Sequence, residues 1–388
     1  MKKIVFWAPY FKKVGTIKAT IHSAKSLRKY GNYDIDLIKV YKEWEEYKEE
    51  CKNFNIIDFK LQKVFPKLPL NDLGYRFSML FIILFSLPKL INYFNRKKPD
   101  VVFSYLQGFT PLLAKSLSHH KFKLIVSIQG LPSFLAKEET IKTYPVYKKI
   151  ENEIRKFVWK RLYKNADYII TLTENTKINL EKFLDTKNIK YIPNPVINEE
   201  EVLKKANEPL KDELFIKNEY ILGIGRLSVQ KNFATLIKAF KIVSKKFPDL
   251  KLIILGEGEL KKELERLIDE LELINRVILY GFVGNPFNIL KNAKIFVLSS
   301  LWEDQGHALV EAAYLKIPCV STKCPSGQEE LLSYGEAGYL CNIGDEKNMA
   351  DKILEALNSN NKEKIELAYK NSLQFSGKSF YENIKGLI

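Results

Sequence analysis

Ile295-Phe-Val-Leu-Ser299-Ser300-Leu-Trp-Glu303-Asp-Gln-Gly306-His307-Ala308-Leu309-Val-Glu311-Ala312 reads as one strand–loop–helix unit. An apolar run ends at Ser299, a polar loop follows, and a helix begins near Gly306. Working outward, the same unit recurs. Apolar runs at Tyr220–Ile224, Leu252–Leu255, Val277–Tyr280, Cys319–Ser321 and Tyr339–Cys341 each adjoin a helical stretch. A second series lies in the first half: Lys3–Tyr10, Ile35–Tyr41, Val101–Tyr105, Leu124–Ile128, Tyr168–Leu172 and Tyr191–Ile192. Between these strands the helices are periodic, as in Thr16–Tyr30 and Lys148–Lys164. In the latter, Ile150, Ile154, Val158 and Leu162 share one face, which is read as its core face. Strands alternating with helices define an α/β chain with parallel sheets. Pro193 and Pro195 interrupt the pattern, and the charged Asn198–Glu213 stretch after them reads as a linker. The expectation is two doubly wound Rossmann-like domains in tandem, 1–197 and 198–376, with a helix over 377–388 crossing back to the first. Their strand ends would face a shared cleft, where such sheets bind ligands.

Of the 388 residues, 46% are apolar and 28% charged, which excludes a disordered or collagen-like chain. The four cysteines, Cys51, Cys319, Cys324 and Cys341, show no C-x-x-C spacing, so neither a disulfide framework nor a zinc site is implied. Met1-Lys2-Lys3 followed by Ile4–Phe11 resembles a signal peptide only briefly. The run contains Pro9, stops at Lys12-Lys13 and lacks a small-residue cleavage site, so it reads as a first strand. The longest apolar run, Phe77–Leu87, has 11 residues. At ~1.5 Å per residue it spans about half a bilayer core, so no segment is expected to cross a membrane and the reading is cytosolic. Charge is the more informative property. Residues 1–200 hold 36 Lys and Arg against 20 Asp and Glu, whereas residues 201–388 hold 26 of each, so the whole +16 falls on the first half. Such asymmetry points to an anionic partner: nucleic acid, anionic lipid or a phosphorylated substrate.

Single motifs say less. Gly223-Ile-Gly225 and Gly256-Glu-Gly258 follow strands, but each lacks the third glycine of a dinucleotide fingerprint, and Arg226 stands where a small residue is needed. Asp34-Ile-Asp36 has the form of a metal-holding D-x-D, yet follows Gly31-Asn32 at a strand start and reads as turn and strand edge. His119-His120 sits in a lysine-rich loop and reads as a solvated turn. The opening stretch carries more chemistry. The first amides of its helix lack intrahelical partners and bear the positive end of the macrodipole, a ready phosphate site. Glu303 precedes that terminus and Glu311 lies inside it. A diphosphate there would leave one carboxylate near each end of a nucleotide-sugar. Arg226 and Lys231, in Gly225-Arg-Leu-Ser-Val-Gln-Lys231-Asn, supply cations to offset the repulsion. Read one at a time, Glu311 is equally a helix-surface residue and Glu303 a dipole partner.

In order, Gly225-Arg226-Leu227 with Gln230-Lys231-Asn232, Gly256-Glu257-Gly258, Gly281-Phe282-Val283, Ser299-Ser300 with Glu303, Glu311-Ala312, and Pro318-Cys-Val-Ser-Thr resemble the retaining GT-B glycosyltransferases of the "group 1" type. The matching block covers roughly residues 219–360. The first half is similar only through Ala166-Asp167-Tyr-Ile-Ile and Ile192-Pro193-Asn194-Pro195. The resemblance implies that Arg226 and Lys231 hold the donor diphosphate, that Glu303 lies by the donor sugar, and that Glu311 takes the ribose hydroxyls. It also implies backbone contacts from Gly306, His307, Ala308 and Leu309, and a base pocket lined by Gly281, Phe282 and Val283. Three positions depart from the pattern. Glu303-Asp304-Gln305-Gly306 moves the loop glycine two places along, Gly15 is the lone glycine of the first-domain loop, and Gln129 stands where many members have a histidine.

The expected protein is therefore a hexosyl- or N-acetylhexosaminyltransferase that takes an NDP-sugar, needs neither cofactor nor metal, and binds no nucleic acid. Its expected acceptor is a lipid-linked or oligosaccharide glycan of capsule, O-antigen or similar polysaccharide assembly, met peripherally at the anionic inner face of the membrane. The rivals are an epimerase-like enzyme of GT-B fold, which would need acid/base residues in the cleft, and a nucleic-acid-binding protein using the basic half, which would need stacking platforms.

Overall fold

Continuous apolar runs such as Ile4–Trp7 and Leu252–Leu255 bury both faces of the strands, the pattern of parallel sheets flanked by helices. The computed structural model describes residues 1–9, 15–64, 72–105, 108–135, 146–303, 305–324 and 327–388. Residues 1–195 and 380–388 form one unit and 196–379 another.

The first unit is built on a seven-stranded parallel sheet: β1 (Lys3–Trp7), β2 (Asp34–Lys39), β3 (Asn55–Asp58), β4 (Val101–Tyr105), β5 (Lys123–Ile128), β6 (Tyr168–Thr171) and β7 (Ile189–Tyr191), in the order β3-β2-β1-β4-β5-β6-β7. Ile4 and Phe6 of β1 pack on one side with Ile17 and Ile21 of the helix Gly15–Gly31, and with Phe380, Ile384 and Ile388. Val5 and Trp7 pack on the other side, under the helices Asp72–Lys97, Phe109–Leu117, Val146–Leu162 and Glu174–Leu184. The second unit repeats the plan with six parallel strands: β8 (Tyr220–Ile224), β9 (Lys251–Leu255), β10 (Val277–Gly281), β11 (Ile295–Leu298), β12 (Cys319–Thr322) and β13 (Tyr339–Cys341), ordered β10-β9-β8-β11-β12-β13. Each sheet reverses its winding once, between β1 and β4 and between β8 and β11. Ligands of open α/β sheets bind at the carboxyl ends of those two strands.

Three expectations are corrected. The first concerns β3, which has no counterpart in the sequence reading: it is an edge strand with three of four residues exposed or nearly so, and shows no apolar run. The second concerns residues 198–213, which are not a linker. Glu199–Ala206 is a helix whose Val202 and Ala206, an i, i+4 pair, bury into the second core, and a helix Glu213–Lys217 follows. The third concerns the helix Val146–Leu162, which turns the first half of its anticipated core face to water, while Leu162 packs on the core. Ile150 and Ile154 are exposed, while Trp159 and Asn152 are buried. Trp159 stacks on Tyr163 at 3.9 Å between ring centroids and meets Phe134 edge-on at 5.3 Å. These larger rings bury more area than two isoleucines, so they take the inward side.

Asp34-Ile-Asp36 belongs to the opposite end of the sheet from the strand carboxyl ends. Lys3 bridges both carboxylates, at 2.8 Å to Asp34 and 3.6 Å to Asp36, and Asn55 and Tyr93 donate hydrogen bonds to the buried Asp36. His119 and His120 donate their backbone N–H groups to Asn95 Oδ1 at 3.0 and 3.2 Å, a structural turn. Beyond β2, the buried Glu43 accepts the backbone N–H groups of Val40 and Tyr41 at 3.1 and 2.9 Å. Burial nevertheless outweighs those bonds and pushes its carboxyl from 4.5 up to about 8. A raised carboxyl binds its proton more tightly in the folded state, so its stabilisation is complete below pH 4.5 and is lost as pH rises toward 8. Urea melts between pH 5 and 8 should show wild-type stability falling by up to about 1.4 kcal/mol per pH unit relative to Glu43→Gln. Parallel curves for the two proteins would reject this.

Candidate functional site

The site grows from the two loops at the switch point of the second sheet. β8 ends at Ile224 and hands over to Gly225-Arg226-Leu227, which lies against the loop after β9. Gly225 N–H bonds Leu255 O at 3.0 Å, and Leu227 N–H bonds Glu257 O at 2.9 Å. A Cβ on Gly256 would stand 2.0 Å from Gly225 O, and one on Gly258 would stand 2.3 Å from Leu227 O. This G-x-G therefore exists to let two loops touch. The absent third glycine is explained, because the pair serves chain packing rather than a dinucleotide turn.

A single 3₁₀ turn, Val229–Lys231, then aims Lys231 across to the loop after β11. Its ammonium pairs with Glu303, and Ser300 Oγ donates to the same carboxylate oxygen at 2.6 Å. The two loops are laced together besides: Ser299 Oγ to Lys231 O at 2.7 Å, Leu301 N–H to Gln230 O at 2.8 Å, and Gln230 Nε2 to Trp302 O at 2.9 Å. The pair is largely withdrawn from water, at 19% side-chain exposure for Lys231 and 8% for Glu303. From below, Thr322 Oγ1 and Cys324 Sγ donate to Ser300 O at 2.6 and 3.1 Å. Burial pushes the Cys324 thiol up to about 11, so it acts as a neutral donor that pins the loop and not as a nucleophile.

Gly306 closes the loop in the left-handed region, with φ 64°, and starts the helix His307–Tyr314. A Cβ there would lie 2.7 Å from Nε2 of Gln328, which is fully buried beneath it. His307, Ala308 and Leu309 occupy the first turn. Glu311 is buried on this helix rather than standing on its surface. Arg226 stands apart from the lysine–glutamate pair, exposed, with Nε 3.1 Å from Glu259 Oε2. Gly281 bends the chain after β10 at φ 95°, with Phe282 exposed beside it and Val283 packed on the core. Asp304 lies outside the described residues.

In the first unit Gly15 opens its helix, and Gln129 ends the β5 turn. The Gln129 amide is clamped, donating to Ser127 Oγ at 2.6 Å and accepting from Asn194 Nδ2 at 2.8 Å. Gln328 was not legible as a site residue in the sequence, and Ser300 and Asn194 were legible only as members of motifs; the fold sets Gln328 beneath Gly306 and Asn194 against Gln129, and Ser300 bonds Glu303 within its own loop. Among the described residues, no group of three or more His, Cys, Asp or Glu side chains gathers to hold a metal. No helix among them is long and apolar enough to cross a membrane.

Two Rossmann-like parallel sheets, with a lysine–glutamate pair at a helix terminus on the second, define the GT-B class of glycosyltransferase. Residues 205–371 match the family described as Glycosyl transferases group 1, and residues 23–200 match Glycosyltransferase Family 4. An uncharacterized glycosyltransferase of Methanocaldococcus jannaschii is 33% identical over 352 residues, covering 88% of this chain and 79% of that protein. The chain belongs to the group 1 glycosyltransferases. It is also similar, at 29% identity over 72% of each chain, to N-acetylgalactosamine-N,N'-diacetylbacillosaminyl-diphospho-undecaprenol 4-alpha-N-acetylgalactosaminyltransferase of Campylobacter jejuni. Its fold matches a glycosyltransferase from Rickettsia africae with a TM-score of 0.75 at 17% identity, covering 100% and 97% of the two chains. It likewise matches HepE from Anabaena, solved with UDP, with a TM-score of 0.72 at 17% identity, covering 100% and 99%.

Proposed function

We propose that this glycosyltransferase moves a hexose or N-acetylhexosamine from an NDP-sugar to a lipid-linked glycan, with retention at the anomeric carbon, in surface-polysaccharide assembly. The Lys231–Glu303 pair at the start of the helix His307–Tyr314 carries the reading. A diphosphate at that terminus meets the amides of the first turn and the positive dipole end, and draws Lys231 into a shared contact. Arg226, paired with the exposed Glu259, can swing to the same charge. Glu303 then accepts from sugar hydroxyls, and Glu311 from the ribose. As the anomeric carbon–oxygen bond breaks, the acceptor oxygen bonds the same face and its proton passes to the leaving phosphate. Lys231, Arg226 and the helix terminus offset the charge that develops there, so no metal is required.

The test is a thermal-shift panel of UDP, GDP and ADP, each with excess EDTA. One of them at 100 times its dissociation constant should add about 2.7 kcal/mol of stability, chelator or not. A shift that appears only with Mn²⁺ would overturn the metal-free mechanism, and no shift with any of the three would remove the donor site.

The lipid-linked acceptor draws support from the diphospho-undecaprenol acceptor in the name of the Campylobacter relative and from the first unit's surface. The helix Val146–Leu162 presents Val146, Tyr147, Ile150, Ile154 and Phe157, each 57–73% exposed, on the side away from its own core. It carries six Lys and Arg against two Glu. An outward apolar stripe with basic shoulders suits the plane of an anionic membrane, at the cytoplasmic face. Wild-type protein should sediment with anionic liposomes at low salt and release as salt rises. Ile154→Ser with Phe157→Ser should weaken that binding. Protein left in the supernatant at low salt would end the membrane reading.

A further inference from the structure

The helix Asp72–Lys97 changes character along one side. Phe81 and Phe85 are 41% and 43% exposed and stack on each other, and one turn further on the same side is cationic. At 100° per residue, Phe81, Phe85, Lys89, Asn92 and Arg96 fall within about 80° of one another, so a single strip passes from apolar to basic over ~22 Å. Beside its basic end lies a cavity of ≈ 660 Å³, walled by Asp58 at the end of β3, by Lys60 just after it, and by Lys89, Asn92, Arg96 and Lys97 from the helix. Four cations thus share one concavity with one carboxylate. That carboxylate is engaged elsewhere: Asp58 Oδ1 accepts the Lys60 N–H at 2.7 Å, and Oδ2 lies 3.7 Å from Lys39 Nζ. Lys89 is held at the wall by its bond to Phe59 O. Lys60 takes φ 56°, a left-handed conformation unusual for lysine, and the Asp58 bond to its N–H holds the turn there. Like charges gathered this closely repel one another until an anion enters, and strained backbone held by its surroundings is a mark of ligand sites.

The geometry points to a site for the phosphate or diphosphate headgroup of a lipid, seated among Lys60, Lys89, Arg96 and Lys97, with its chain laid along Phe85 and Phe81. It rests on the lipid-linked acceptor reading above and names the part of the first unit that takes the headgroup. A free anion would need only the basic cavity. The apolar strip running straight into it is what selects an amphiphile, because a chain there covers two exposed phenylalanine rings while the charge stays with the cations.

The experiment titrates the full chain with farnesyl diphosphate, inorganic pyrophosphate and farnesol, below micelle-forming concentration. Farnesyl diphosphate should bind at least about tenfold more tightly than either other probe. Lys60→Glu with Arg96→Glu should weaken it about tenfold or more, and Phe81→Ser with Phe85→Ser should bring it down to the pyrophosphate level. Lys245→Glu with Lys246→Glu, an equal charge change on the exposed surface of the second unit, should leave it within about twofold. The site falls if the Lys60/Arg96 variant binds like wild type, if the Lys245/Lys246 control loses as much, or if pyrophosphate binds as tightly as the lipid. Nucleotide binding is measured alongside, and its retention in the Lys60/Arg96 variant shows that the variant is folded. Wild type that binds nucleotide but not farnesyl diphosphate overturns this site and spares the donor reading. Wild type that binds farnesyl diphosphate but no nucleotide does the reverse.

Discussion

Lys231→Ala should cost both stability and donor affinity, and adding Glu303→Ala should restore only the stability. The single substitution leaves a carboxylate, 8% exposed, without its cation. Breaking a buried pair from one side costs about 3–5 kcal/mol, and the effect here belongs at the lower end because Lys231 keeps 19% of its side chain in water and Ser300 still donates to Glu303. Removing both partners deletes the stranded charge, so urea melts of the double variant should return most of the way to wild type. Donor affinity behaves differently. The lysine supplies a charged hydrogen bond to the diphosphate, worth roughly 1–3 kcal/mol, and nothing in the double variant replaces it. Glu311→Ala should lose a similar amount through the ribose. Nucleotide titrations showing unchanged affinity in both Lys231→Ala and Glu311→Ala would remove the second unit as the donor domain.

The second large effect is expected at Gly306. Its φ of 64° costs a side-chain-bearing residue about 1–2 kcal/mol, and a Cβ would meet Gln328 Nε2 at 2.7 Å. Gly306→Ala should therefore lower the melting temperature and shift the first turn of His307–Tyr314, whose amides face the proposed diphosphate. Gln328→Ala in the same chain removes the collision but not the backbone strain, so it should recover part of the stability. A Gly306→Ala protein with wild-type melting and nucleotide affinity would show that the loop does not depend on this turn.

Which features were legible depended on the range of the interaction behind them. Strand runs such as Tyr220–Ile224 and Val101–Tyr105 coincide with the observed strands, because burial on both faces demands continuous apolar sequence. The ordered block from Gly225 to Glu311 was equally visible, since each motif sits at a strand end where loop chemistry is local. The edge strand Asn55–Asp58 was not, because one neighbour and an exposed surface ask little of its composition. The G-x-G at Gly256 was visible but ambiguous, and the 2.0 Å approach to Gly225 O decides its meaning.

The sequence by itself determined the α/β class, the two strand series, the charge carried by the first half and the identity of the residues at the second switch point. Only the tertiary structure decided which of them act together. Lys231 and Glu303 lie 72 positions apart, and they meet because β8 and β11 are neighbours in the sheet. The helix Val146–Leu162 shows the same limit. Its period marks the apolar residues, yet the space beneath it accommodates Trp159 against Phe134 and Tyr163, and so turns Ile150 and Ile154 outward. Periodicity along one helix records which side chains avoid water. Which stripe succeeds in doing so is settled by the shape of the surface it packs against, and that shape is made by residues elsewhere in the chain.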